Sequence, residues 1–266
     1  MTRAERLHYL LEEINNNKSK SLLNIWMELF DVSNIFEVYD RLIYVKKEID
    51  LFDVEIKLLG LDNNEQFKNI ISILNTIVEY PSLNSSISNY DFIQSPKIEL
   101  TFSTFNMFKT FEEAKHISPE KEEDIPHDEF ILFKKNIDNI IDEIETSNML
   151  ESDKLIFLSI FHDLNKGMSL YKINGLNAFI EVLKDNFCKI KMISNIDDSN
   201  EKNVKFKTLT KKIIGKIWVW TITYMKKRTI GLIDSNVAKY LDDKASEWAE
   251  LPTTNFNDVE DTEIEE

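Results

Sequence analysis

Five glycines and five prolines in 266 residues leave this chain few places to turn sharply. Strand-rich folds need many tight turns, and glycine and proline supply most of them. The scarcity therefore predicts long helices with few breaks. The 42% hydrophobic content suffices for a sizeable core at this length and excludes a chain that stays unfolded.

Apolar residues recur at helical spacing along most of the sequence. Leu7, Leu10, Leu11 and Ile14 mark a first helix over 2–16, and the run from Leu22 to Phe30 marks a second. Ser33 or Asn34 is a candidate N-cap for a third helix that reaches Leu59 and stops at Gly60. Asn63 or Asn64 opens a fourth, which Pro81 ends. Residues 82–95 are polar and turn-rich and read as a loop. Residues 97–108 are rich in Thr and Phe and alternate nearer to period two, which fits a hairpin arm as well as a helix fragment. Beyond an acidic, proline-bounded stretch at 118–126 the helical pattern returns over 128–144, from Ser152 towards Tyr171, and from Leu176 to Phe187. Residues 194–203 read as a linker. The expected fold is all-α: a multi-helix bundle in two packed sub-bundles, 1–117 and 127–248, with a minor β hairpin near 97–108. An acidic, disordered tail is expected at 251–266.

The succession Tyr171-Lys172-Ile173-Asn174-Gly175-Leu176, after Glu143 to Ser147 and Leu155 and Leu158, resembles a pattern of bacterial helical proteins of unknown activity. In that pattern a helix ends in a Tyr-x-Ile-x-Gly turn and a second helix folds back on it. The similarity covers about residues 20 to 190 and implies an all-α fold, with no activity attached.

The single cysteine, Cys188, excludes an internal disulfide and makes a reducing compartment the expectation. It sits at the end of an apolar stretch, where a buried, inert thiol is expected. The first residues carry no apolar leader region, and no stretch approaches the roughly 18 uncharged apolar residues of a membrane span. A cytoplasmic protein follows as the expectation.

One stretch resembles an enzyme motif. Phe161-His162-Asp163-Leu164-Asn165-Lys166-Gly167 is similar to the His-Asp dipeptide of HD-type metal phosphohydrolases. The resemblance implies a divalent metal held by His162 and Asp163, with His127 upstream and Asp234 downstream by position. Such a metal lowers the pKa of a bound water, so its ligands must converge. Asn165 stands where the family has glycine, and no later histidine builds a second metal site. The competing reading is a solvated His and Asp on the polar face of a helix. His8 and His116 lack metal-ligand spacing, and no glycine-rich phosphate loop is present.

Charge is distributed unevenly. Between Lys202 and Arg228 lie nine basic residues and no acidic one, in a protein of net charge −15, which leaves 47 acidic against 23 basic residues elsewhere. If 208–228, within the basic segment 204–228, is a helix, Lys212, Lys216 and Lys227 share one face with Lys226 beside them, while Ile213, Ile217, Trp220 and Tyr224 line another with Trp218 beside them. Ile217 to Tyr224, all β-branched or aromatic, also suits a strand. One reading packs the aromatic side on the helical body and leaves the lysines to water or neighbouring carboxylates. Another makes Trp218, Trp220 and Tyr224 anchors for a partner protein, with Lys212, Lys216, Lys226, Lys227 and Arg228 steering it. An anionic membrane surface is a further alternative. Nucleic acid ranks low, because an acidic body repels phosphate within a Debye length of about 8 Å. The acidic tail is a candidate internal competitor for the basic face.

The expected function is therefore non-catalytic: a bacterial, cytoplasmic interaction or accessory protein, with immunity against phage or toxins as a compatible setting that no residue demonstrates. The metal-dependent phosphohydrolase is the rival from another class.

Overall fold

The computed structural model describes residues 1–79, 83–84, 86–93, 97–115, 124–224 and 235–249. Every regular element among them is helical: α1 Arg3–Asn16, α2 Leu22–Phe30, α3 Ile35–Leu58, α4 Glu65–Val78, α5 Lys97–Lys115, α6 His127–Thr146, α7 Glu151–Asn174, α8 Asn177–Asp185, α9 Phe187–Ile193, α10 Glu201–Tyr224 and α11 Ser235–Ala249. Two 3-10 turns, Ile87–Asn89 and Asp91–Ile93, occupy the expected loop. The closest approach to a sheet among the described residues is one isolated bridge, Ser21 to Ser86. The all-α class that glycine and proline scarcity predicts is what forms.

Local chemistry sets the helix ends. Thr2 and Glu5 form a reciprocal capping box, with Glu5 N–H donating to Thr2 Oγ1 at 3.2 Å and Thr2 N–H to Glu5 Oε2 at 2.9 Å. Asn34 and Asn64 cap α3 and α4 through their side-chain oxygens, at 2.9 and 2.8 Å. Gly60 follows α3 with φ +71°, a left-handed conformation that only glycine adopts cheaply.

The chain divides into two compact units. The first comprises Met1–Glu123 with Ser169–Ala178, and the second Asp124–Met168 with Phe179–Glu266. In the first, α3 packs against α1, α2 and α4, and α5 packs against α1 and α4. Phe52 stacks on Phe105 at 5.6 Å and meets Phe108 edge-on at 4.8 Å. Trp26 stacks on Phe30 and donates its indole N–H to Ile77 O at 3.0 Å, so its burial leaves no polar atom stranded.

The minor hairpin expected near 97–108 is a helix, α5. Ile98, Thr101, Thr104, Phe105 and Phe108 face inward at helical spacing, and the two threonines occupy slots that an apolar pattern assigns to Leu or Ile. Their hydroxyls bond back to the carbonyls of Lys97 and Leu100, at 3.0 and 2.7 Å, which removes the cost of burying them.

The first unit also buries a charge network. Glu48 and Arg6 are 2% and 3% exposed, 3.4 Å apart, and Arg3 Nε lies 2.9 Å from the same Glu48 oxygen. Arg3 also pairs with Glu55. Arg6 donates further to Ile173 O at 2.9 Å and Met1 O at 3.1 Å, so the last turn of α7 is tied to α1 and α3. Burial holds the Glu55 carboxyl above its ordinary range, against the pull of Arg3.

In the second unit α10 packs against α11, and Phe157 meets Phe206 at 6.0 Å. The stretch 217–224, open to a strand reading from its composition, is the last part of α10. Cys188 is exposed, not buried as expected. A break at Asn186 starts a fresh helix there, whose inward positions are Ile190 and Ile193, and Cys188 falls on the opposite side. The tail expected at 251–266 lies outside the described residues.

Candidate interaction surface

α10 sorts its side chains by face. Phe206, Thr210, Ile213, Ile217 and Trp220 are buried at steps of three or four residues, and Ile214, Trp218 and Thr221 form a second buried row beside them. Lys205, Lys212, Lys216, Val219 and Thr223 fall on the opposite face within about 60° of one another at about 100° per residue. Val219 is exposed there, and Ile222, also exposed, lies about 60° beyond it.

The two tryptophans expected to anchor a partner are therefore core residues, 1% and 3% exposed. Trp218 donates its indole N–H to Asp242 on α11 at 3.0 Å, and Trp220 donates to Glu129 on α6 at 3.1 Å. Trp220 meets Phe133 edge-on at 4.6 Å and lies 6.2 Å from Phe179. The physical reason is area: a tryptophan gains most where its ring is dry and its N–H has a partner, and both conditions hold inside this unit. Tyr224 is half-buried at the helix end.

Part of the basic charge is also structural. Lys216 reaches Glu129 Oε1 at 3.2 Å, with its ammonium 5.1 Å from the Trp220 ring centre and 5.4 Å from that of Phe133. Lys205 pairs with Glu143, also on α6. Lys207 is buried, donating to Ile196 O at 2.8 Å and Asp198 Oδ1 at 2.6 Å. Lys202 is exposed, Lys211 and Lys212 are half-exposed, and Lys202 and Lys211 have no ion pair among the described residues. Lys226, Lys227 and Arg228 lie outside the described residues.

The enzyme motif does not assemble a site among the described residues. His162 is exposed on α7, and Asp163 beside it forms an ion pair with Lys189 at 3.1 Å, an interaction that braces α7 against α9. His127 is exposed at the first position of α6. No group of three or more His, Cys, Asp or Glu among the described residues converges as metal ligands. Asp234 and His116 lie outside the described residues. His8 is half-buried between Phe102 and Phe105, at 5.0 and 5.3 Å, and burial holds its imidazole below the ordinary pKa of 6.5 despite Glu12 nearby.

Sequence reasoning missed Val219 and Ile222 as the exposed apolar end of the α10 face. The signal was present in their spacing from Lys212 and Lys216, but a wide apolar side hides which of its edges is solvated. No helix among the described residues is long and apolar enough to cross a membrane. No protein-family model matches this chain, and neither a curated protein nor a solved structure matches it.

Proposed function

We propose that this is a non-catalytic protein that binds another protein, one with an acidic surface, through the outward face of α10. The observation that supports the reading is the sorting of that helix. Trp218 and Trp220 turn inward and fix α10 in its unit, and the opposite side carries Lys205, Lys212 and Lys216 with exposed Val219, and exposed Ile222 beside it. A basic helix face ending in an apolar patch steers an acidic partner and then gives it area to bury. The compartment in this proposal is the cytoplasm, where the exposed Cys188 stays a thiol.

The test is a paired recovery experiment from the source lysate, with the wild-type protein and Lys212→Glu/Val219→Asp as baits. Both positions are outside the core, so circular dichroism of the two baits should coincide. An acidic protein held by the wild type, released at roughly 0.5 M salt and recovered at least about tenfold less by the variant, is the expected result. Equal recovery by both baits contradicts the proposal.

A further inference from the structure

α3 is apolar on two opposite faces. Val38, Leu42, Val45, Ile49, Phe52 and Ile56 are buried in the core of the first unit. On the other side Phe36, Ile43, Leu51, Val54 and Leu58 stand between 44% and 76% exposed. At about 100° per residue these five fall within about 80° of one another, and from Phe36 to Leu58 the row is about 33 Å long. Single exposed apolar residues are ordinary on a protein surface, whereas five in one row on one helix mark a contact surface.

The charges along this row are balanced. Asp40 and Lys47 lie within it, Lys46, Asp50, Asp53 and Lys57 flank one edge, and at the other Glu37 pairs with Arg41 and Glu55 with Arg3, five acids against five bases in a protein of net charge −15. Lys46 reaches Asp50 at 2.6 Å, and Lys57 reaches Asp53. Two copies of so acidic a protein repel one another over most of their surfaces, and a neutral row is where they approach at least cost. The order of residues is also self-complementary. When two such helices run antiparallel about a two-fold axis between Glu48 and Ile49, Lys47 meets the partner's Asp50, and Ile43 meets the partner's Val54. The axis makes each of these contacts occur twice.

We infer that the exposed face of α3 is the interface of a homodimer formed by this antiparallel pairing. The occupant is a second copy because the row carries no net charge to select a charged partner and pairs its own signs in this register. The α10 face belongs to the other unit, so the variants below leave it intact, and this inference and the proposed function fail separately.

Sedimentation equilibrium of the full chain over roughly 1–100 μM decides it. The wild type is expected at twice its 31.3 kDa chain mass. Ile43→Asp/Val54→Asp, with an unchanged far-ultraviolet circular dichroism spectrum, is expected at the monomer mass. Lys47→Asp sets two acids face to face and should weaken the dimer at least about tenfold, and Lys47→Asp/Asp50→Lys should restore it. A wild-type mass of 31.3 kDa at every concentration overturns the proposal and leaves the row to a different protein. A dimer indifferent to Ile43→Asp/Val54→Asp or to Lys47→Asp overturns it as well.

Discussion

Glu48 holds two guanidinium groups at a place water does not reach, and that makes it the most exacting single residue of the first unit. Arg6 is buried with it, and its other donors are committed to Ile173 O and Met1 O. Glu48→Gln keeps the shape and removes the nearer counter-charge, leaving Glu55 as the carboxylate that faces both Arg3 and Arg6. The expected loss is about 3–5 kcal/mol of unfolding free energy, read from urea titration. A loss below about 1 kcal/mol would show that water reaches Arg6 after all. His8 gives the same unit a pH dependence. Its imidazole titrates below 6.5 in the folded state because burial between Phe102 and Phe105 disfavours the charged form. The unfolded chain thus binds a proton first as pH falls, so this contribution is present above pH 6.5 and is lost as pH drops through the folded value. Thermal melts of the wild type should fall between about pH 7.5 and pH 5.5 more than those of His8→Gln. Parallel curves for the two proteins contradict the assignment. Glu55, whose carboxyl is raised by burial, acts with the opposite sign at lower pH, and comparing the two proteins cancels it.

At the scale of elements, the helix ends are the most sharply determined features. Gly60 has φ +71°, and a Cβ placed there meets nothing within 4 Å. Gly60→Ala therefore costs only the backbone strain of a left-handed alanine, about 1–2 kcal/mol, with no change in the far-ultraviolet spectrum. A larger loss in a chemical denaturation series would mean that the residue carries a contact not visible at that position. Such ends were legible from the sequence because capping is local: Asn34, Gly60 and Asn64 act on residues within one turn. Patterns that depend on distant partners were not. α5 hid its helical period behind Thr101 and Thr104, which are buried only because their hydroxyls bond one turn back. The two sides of α10 were legible as stripes of lysine and of tryptophan. Which stripe meets water was not, since that depends on Glu129 of α6 and Asp242 of α11 being placed to accept the indole N–H groups. Arg6 and Glu48, separated by most of two helices, look in sequence like any solvated pair of charges.

For the molecule as a whole, composition and burial fit one account. All four tryptophans of the chain, Trp26, Trp218, Trp220 and Trp248, are at most 3% exposed. Tryptophan area is thus spent on holding helices together. The His162-Asp163 motif is placed in the same way: Asp163 serves an ion pair with Lys189, and His162 faces solvent. The central claim is that the tryptophans of α10 face inward while Lys205, Lys212 and Lys216 lie on its opposite face. Acrylamide quenching of tryptophan fluorescence tests this most directly, because the quencher is neutral and the net charge of −15 does not bias it. The account predicts a native quenching slope several-fold below that of the urea-unfolded chain, with a blue-shifted emission maximum. A native component quenched as readily as free indole, and abolished in Trp218→Phe/Trp220→Phe, would contradict it and return both tryptophans to the surface.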